Sequence, residues 1–159
     1  MASEILRFIV VVGIASTLLL DLSAQLMARL AGKTPTNWGN VGLWLRGMAR
    51  GRWVFVSSAA PTGADHALGW AFHYFVGIAY AASYPLIWGG GIVETSRFWP
   101  FLVIGLGLTT CAGLCLMVPG MGGGFLGRGV PDRAGLLKGM LMAHLVFALG
   151  EYATACLLA

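Results

Sequence analysis

Long apolar runs broken by short polar segments organise the chain. The first extends from Ile5 to about Leu30 and is interrupted by Asp21. About 20 apolar residues cross a bilayer, so this run is long enough to span with tilt. Phe8 to Leu20 also resembles the apolar core of a signal peptide, with Ser23-Ala24-Gln25 as a small-residue site. The apolar pattern continues through Leu26, Met27 and Leu30, which favours a retained span. Thr34-Pro35-Thr36-Asn37 breaks the helix and offers an N-cap. Trp38, Val41, Trp44, Leu45 and Met48 then recur at helical spacing beside Arg46, Arg50 and Arg52. That pattern predicts a short helix in the headgroup region, tryptophans inward and arginines toward phosphate. Ser57 to Gly63, with Pro61, reads as irregular, and Gly89-Gly90-Gly91 as a tight turn. The expected fold is all-α and integral to the membrane. It is a four-helix transmembrane bundle with spans at about 5–30, 67–88, 98–118 and 134–158, plus one short interfacial amphipathic helix within 34–64. The chain reads as a single transmembrane domain over 1–159.

Composition supports the membrane assignment. The chain is 58% hydrophobic and 10% charged, against about 25% charged in soluble domains. The formal charge of +4 reflects topology and anionic lipid contact more than nucleic acid, because the cations are dispersed and form no basic aromatic groove. Arg29, Lys33, Arg46, Arg50, Arg52, Arg128, Arg133 and Lys138 fall in two loops on one side. By the positive-inside rule that side is cytoplasmic, which puts both termini in the periplasm of a bacterial inner membrane. Cys111, Cys115 and Cys156 all lie in apolar runs and read as small core residues.

Ionisable residues inside a span are costly and point to function. Asp21, His73 and His144 are predicted at similar depth on three different helices, in the cytoplasmic half. Thr17 and Gln25 continue a polar stripe around Asp21, and Glu151 shares a face with His144 about two turns away. Gly69 and Gly77 flank His73 at a spacing that lets helices approach closely. Two histidines and a carboxylate suit a metal with open positions, although no close metal motif such as H-E-x-x-H is present. Haem is disfavoured, because nothing else in the chain requires it. The same three residues could serve as a general base toward a lipid or small amphiphile, as part of a proton-linked small transporter, or as structural glue. A non-enzymatic accessory subunit is a further reading, and the sequence does not decide whether the protein is an enzyme. Membrane lipids are the expected partners, together with further copies of the chain or a larger membrane complex. Arg46, Arg50, Arg52, Arg128 and Arg133 are candidate headgroup ligands. The glycine-rich stretch 119–129 reads as a helix break whose amides could also cradle phosphate. His66, beside Asp65, reads as a solvated helix start.

The stretch Leu68-Gly69-Trp70-Ala71-Phe72-His73-Tyr74 resembles the signature of a bacterial membrane family designated domain of unknown function 2938. Leu20-Asp21-Leu22, Val118-Pro119-Gly120-Met121-Gly122-Gly123-Gly124-Phe125 and Ala143-His144-Leu145-Val146-Phe147-Ala148-Leu149-Gly150 resemble its other blocks. The resemblance implies a four-span inner-membrane protein with Asp21, His73 and His144 at family positions, and it implies no activity. The chain departs from the expected pattern at Glu151, where an aliphatic residue is expected, and at His66, where a different polar residue is expected.

Overall fold

The computed structural model describes residues 1–32, 35–56 and 59–159. Lys33 of the cation count, Thr34 of the helix-breaking segment and Ser57 of the irregular stretch lie outside the described residues. Among the described residues every regular element is helical, with no strand. We label the helices α1 (Ala2–Ala31), α2 (Trp38–Met48), α3 (Gly63–Trp88), α4 (Phe98–Gly120) and α5 (Arg133–Leu158). Three of them, Ala2–Leu30, Phe98–Gly120 and Arg133–Leu158, are long and apolar enough to cross a membrane, and each holds an 18-residue stretch of mean hydropathy 2.2, 2.3 and 1.6 respectively. Only 22–33% of the residues in those 18-residue stretches are buried, so most of their apolar surface faces outward. Outward apolar helices of that length suit lipid and mark a membrane protein. Helix α3 is as long as α5, 26 residues each, but is interrupted by His73, Tyr74, Tyr80, Ser83, Tyr84 and Pro85.

Local chemistry sets several helix ends. Gly32 ends α1 with φ 63°, and its N–H donates to Ala28 O. Glycine reaches that left-handed conformation without a Cβ penalty. The Asn37 side chain accepts from Gly39 N at 3.0 Å and caps α2. Thr62 and Asp65 form a reciprocal capping box at the start of α3. Thr62 N donates to Asp65 Oδ2 at 2.8 Å, and Asp65 N donates to Thr62 Oγ1 at 3.3 Å. Helix α4 widens into π-helical turns over Leu102–Leu108 and Gly113–Met117.

Two compact units are present. The first contains Met1–Pro35, Tyr74–Thr109 and Leu141–Ala159. Its core gathers Phe8, Val12, Ala81, Tyr84, Ile92, Phe101, Ile104 and Ala155. The Tyr84 ring lies 4.5 Å from Phe101 and meets Phe8 edge-on at 6.3 Å. Among apolar helices in lipid, close backbone approach carries the packing. A Cβ at Gly13 would stand 2.6 Å from Ile78 Cα, and one at Gly77 would overlap the Thr17 hydroxyl.

The second unit contains Thr36–His73 and Thr110–Met140. Helix α2 packs on the first turns of α3 through glycines. A Cβ at Gly42 would overlap the Asp65 carbonyl oxygen, and one at Gly69 would overlap that of Trp38. Trp44 is buried against Phe72, edge-on at 6.5 Å, and its Nε1 donates to Trp53 O at 2.9 Å. The glycine-rich loop after α4 uses its own amides. Gly122, Gly123, Gly127 and Gly129 donate to Pro119, Val118, Gly124 and Gly123 carbonyls respectively. Those four amides are therefore engaged in shaping the loop and not held open for a phosphate.

Candidate functional site

In the first unit, polar side chains line the inner faces of α1, α3 and α5. Ser16 and Thr17 are buried, and each hydroxyl donates back to its own helix, to Val12 O at 2.6 Å and Gly13 O at 2.7 Å. Asp21 is 8% exposed and accepts a hydrogen bond from the Tyr74 hydroxyl at 3.0 Å. Glu151 is fully buried. Its Oε2 accepts from the Tyr84 hydroxyl at 2.6 Å, while Oε1 has no hydrogen-bond partner among the described residues. Gly105, in the wide turn of α4, faces this carboxyl, and a Cβ there would overlap Oε2. His144 is half-buried in the same unit. Gln25 is exposed.

In the second unit, the His73 ring stacks on Trp38 at 3.9 Å and meets Trp70 edge-on at 5.9 Å. The more open feature is a cavity of about 90 Å³ where α2 turns back on itself. Arg50 N, Gly51 N and Arg52 N donate to Gly47, Met48 and Gly47 carbonyls, and Gly51 takes φ 77°. This turn brings Arg46, Arg50 and Arg52 to one cavity with Trp44 and Val54-Phe55-Val56. Arg46 donates to Asp65 at 2.6 Å, the one ion pair among the described residues. Asp65 has no exposed surface and also accepts from the Thr62 hydroxyl at 2.6 Å. The Thr62 hydroxyl, the Thr62 N–H and the Arg46 guanidinium together hold its carboxyl down at about 2, below the ordinary 3.8. Arg50 and Arg52 are exposed and have no carboxylate partner among the described residues. Trp53, Val54 and Val56 stand exposed next to them.

The structure groups some of the sequence candidates. Arg46, Arg50 and Arg52 share a cavity; Arg128 and Arg133 do not line it. Arg133 Nε donates instead to Leu126 O at 3.0 Å, across the glycine-rich loop. Asp21 and His144 belong to the first unit and His73 to the second. Among the described residues, no three His, Cys, Asp or Glu side chains are grouped as a metal ion requires. His66 is exposed, but its neighbour Asp65 is buried rather than solvated. Sequence reasoning missed Tyr74, Tyr84 and Asp65. A buried tyrosine needs a partner for its hydroxyl, and Thr62-x-x-Asp65 is a capping-box spacing; both were available signals.

A family model described as a protein of unknown function (DUF2938) matches residues 10–158. The chain belongs to that family. As a DUF2938 member it carries Asp21, His73, His144, the arginine cavity and Glu151 all within the matched span. The DUF2938 description assigns no activity to any of them. No curated protein and no solved structure matches the chain.

Proposed function

We propose that this is a four-span protein of the bacterial inner membrane that seats the anionic headgroup of a phospholipid or similar amphiphile at Arg46, Arg50 and Arg52. The observation that carries the reading is the cavity of α2, where two arginines without a carboxylate partner among the described residues lie beside exposed Trp53, Val54 and Val56. Guanidinium groups suit phosphate oxygens, with their planar donor fork, and the apolar shelf suits the start of an acyl chain. Arg46 keeps further donors after its bond to Asp65, because a guanidinium has five N–H groups. For the fourth crossing, α3 extends about 39 Å at about 1.5 Å per residue, longer than a hydrocarbon core of about 30 Å. The cation-rich loops, cytoplasmic by the positive-inside rule, would put the cavity at the inner leaflet and both termini in the periplasm. The amphiphile reading gains this support, and the metal reading gains none.

The test is lipid binding by the full-length protein in nanodiscs, comparing phosphatidylglycerol with phosphatidylcholine. An exposed basic residue near an anionic surface contributes about 1 kcal/mol, so the double change Arg50→Gln with Arg52→Gln should weaken phosphatidylglycerol binding about 30-fold. Phosphatidylcholine binding should hardly change. Equal affinity of the variant and the parent for phosphatidylglycerol would defeat the assignment.

A further inference from the structure

A second feature lies in the core of the first unit and is independent of the arginine seat. Glu151 sits with its whole side chain buried on a helix apolar enough to span the membrane. One carboxyl oxygen has a donor, Tyr84; the other has none among the described residues. An ionised carboxylate buried at this depth with a single hydrogen-bond donor among the described residues costs several kcal/mol. No cation reaches it, since the one ion pair among the described residues is Arg46–Asp65.

The surroundings restrict what could complete the site. From α3 come Tyr84 and, within electrostatic reach, Tyr80. From α4 come Gly105 and Thr109, and the Thr109 hydroxyl donates to Gly105 O at 2.6 Å. From α1, Ser16 lies against the neighbouring Gly150, with its hydroxyl turned to Val12 O. Gly105 packs so tightly that a Cβ there would also lie 2.7 Å from Ala148 Cα. Hard metal cations need several oxygen ligands, and no such grouping occurs among the described residues. The wide turn of α4 that carries Gly105 is itself the type of helix irregularity that recurs at functional sites.

We propose that Glu151, hydrogen-bonded by Tyr84, is an exchangeable-proton site in the core of this membrane protein. The proton resides on the carboxyl, whose Oε2 remains the acceptor of the Tyr84 hydroxyl. No covalent chemistry is required, only uptake and release of one proton.

Infrared difference spectroscopy of the full-length protein in nanodiscs near neutral pH tests this. Glu151→Gln should remove a protonated-carboxyl carbonyl band that shifts on transfer to heavy water. Tyr84→Phe should keep that band and move it to higher frequency, because the carbonyl loses its donor. Loss of carboxylate bands instead, in Glu151→Gln, would overturn the proposal. If Glu151→Gln does not fold, the parent protein still decides the matter through labelling with dicyclohexylcarbodiimide, which adds to neutral acids in apolar surroundings. Labelling mapped to Glu151 and declining as pH rises supports the proton site. No labelling at any pH, or protection by sodium or potassium at constant pH, overturns it.

Discussion

Adding a single methyl group at Gly42 should separate α2 from α3. A Cβ at this position would overlap the Asp65 carbonyl oxygen and stand 2.7 Å from Asp65 C and 3.0 Å from its Cα. These are backbone atoms of a helical first turn, pinned by the Thr62–Asp65 capping box, so no side chain can swing aside. Overpacking typically costs about 1–3 kcal/mol, and a backbone neighbour places this case in the upper half. Replacing glycine with alanine inside a helix returns about 1 kcal/mol. The net expectation for Gly42→Ala is a loss of about 1–2 kcal/mol, or about 2–8 °C in apparent melting temperature for a domain of this size. Gly47→Ala, in the same helix, is the matched control. Its Cβ would meet only Arg52, at 3.5 Å, which is ordinary contact. It should therefore be neutral or stabilising by up to about 1 kcal/mol. Thermal unfolding of both variants in one detergent, followed by tryptophan fluorescence, gives the two signs. A Gly42→Ala protein that melts at or above the parent temperature would refute the argument that close backbone approach holds α2 in place. Because α2 carries Arg46, Gly42→Ala should also weaken phosphatidylglycerol binding.

Two further outcomes are expected. Asp65 has a carboxyl held at about 2 in the folded protein against an ordinary 3.8, so its contribution is fully present above the ordinary value. That contribution should disappear as pH falls from about 3.8 through about 2, and melting curves across this window should converge for the parent and Asp65→Asn. A difference between the two that is constant across the window would contradict it. Tyr84→Phe removes the donor to Glu151 Oε2 without changing ring packing, and leaving a buried acceptor unsatisfied costs about 1–3 kcal/mol. Unchanged thermal stability of Tyr84→Phe would show that the 2.6 Å hydrogen bond contributes nothing net.

What could be read from the sequence was what local chemistry dictates. The all-helical class follows from run length, and the start of α2 from Asn37, whose capping partner Gly39 is two residues away. The arginine cavity was half legible. Arg46, Arg50 and Arg52 stood out as headgroup ligands, but the turn at Gly51 that gathers them against Val54 to Val56 depends on a left-handed φ. Partnerships across the fold were not legible. Tyr74 reaches Asp21 over 53 positions, and Tyr84 reaches Glu151 over 67. A tyrosine in an apolar helix announces that it needs a partner, not which one. The glycine-rich stretch reads as a helix break, and the helix does end at Gly120. Its composition is also compatible with a phosphate cradle, but the amides of Gly122, Gly123, Gly127 and Gly129 donate to nearby backbone carbonyls.

Asp65 and Glu151 show why burial alone does not identify a working carboxyl. Both have 0% of their surface exposed. Asp65 accepts from the Thr62 N–H, the Thr62 hydroxyl and the Arg46 guanidinium, at 2.8, 2.6 and 2.6 Å. Its charge is compensated by a cation, and both of its oxygens are occupied. Adding a proton would break bonds and gain none, so Asp65 is suited to fixing the start of α3 and fastening Arg46 beside the cavity. Among the described residues, Glu151 has one donor, on Oε2, and neither a cation nor a donor for Oε1. A proton there removes an uncompensated charge and leaves the Tyr84 bond in place. The two carboxyls differ in how many of their acceptor sites the fold fills, and that difference assigns Asp65 to architecture and Glu151 to proton exchange.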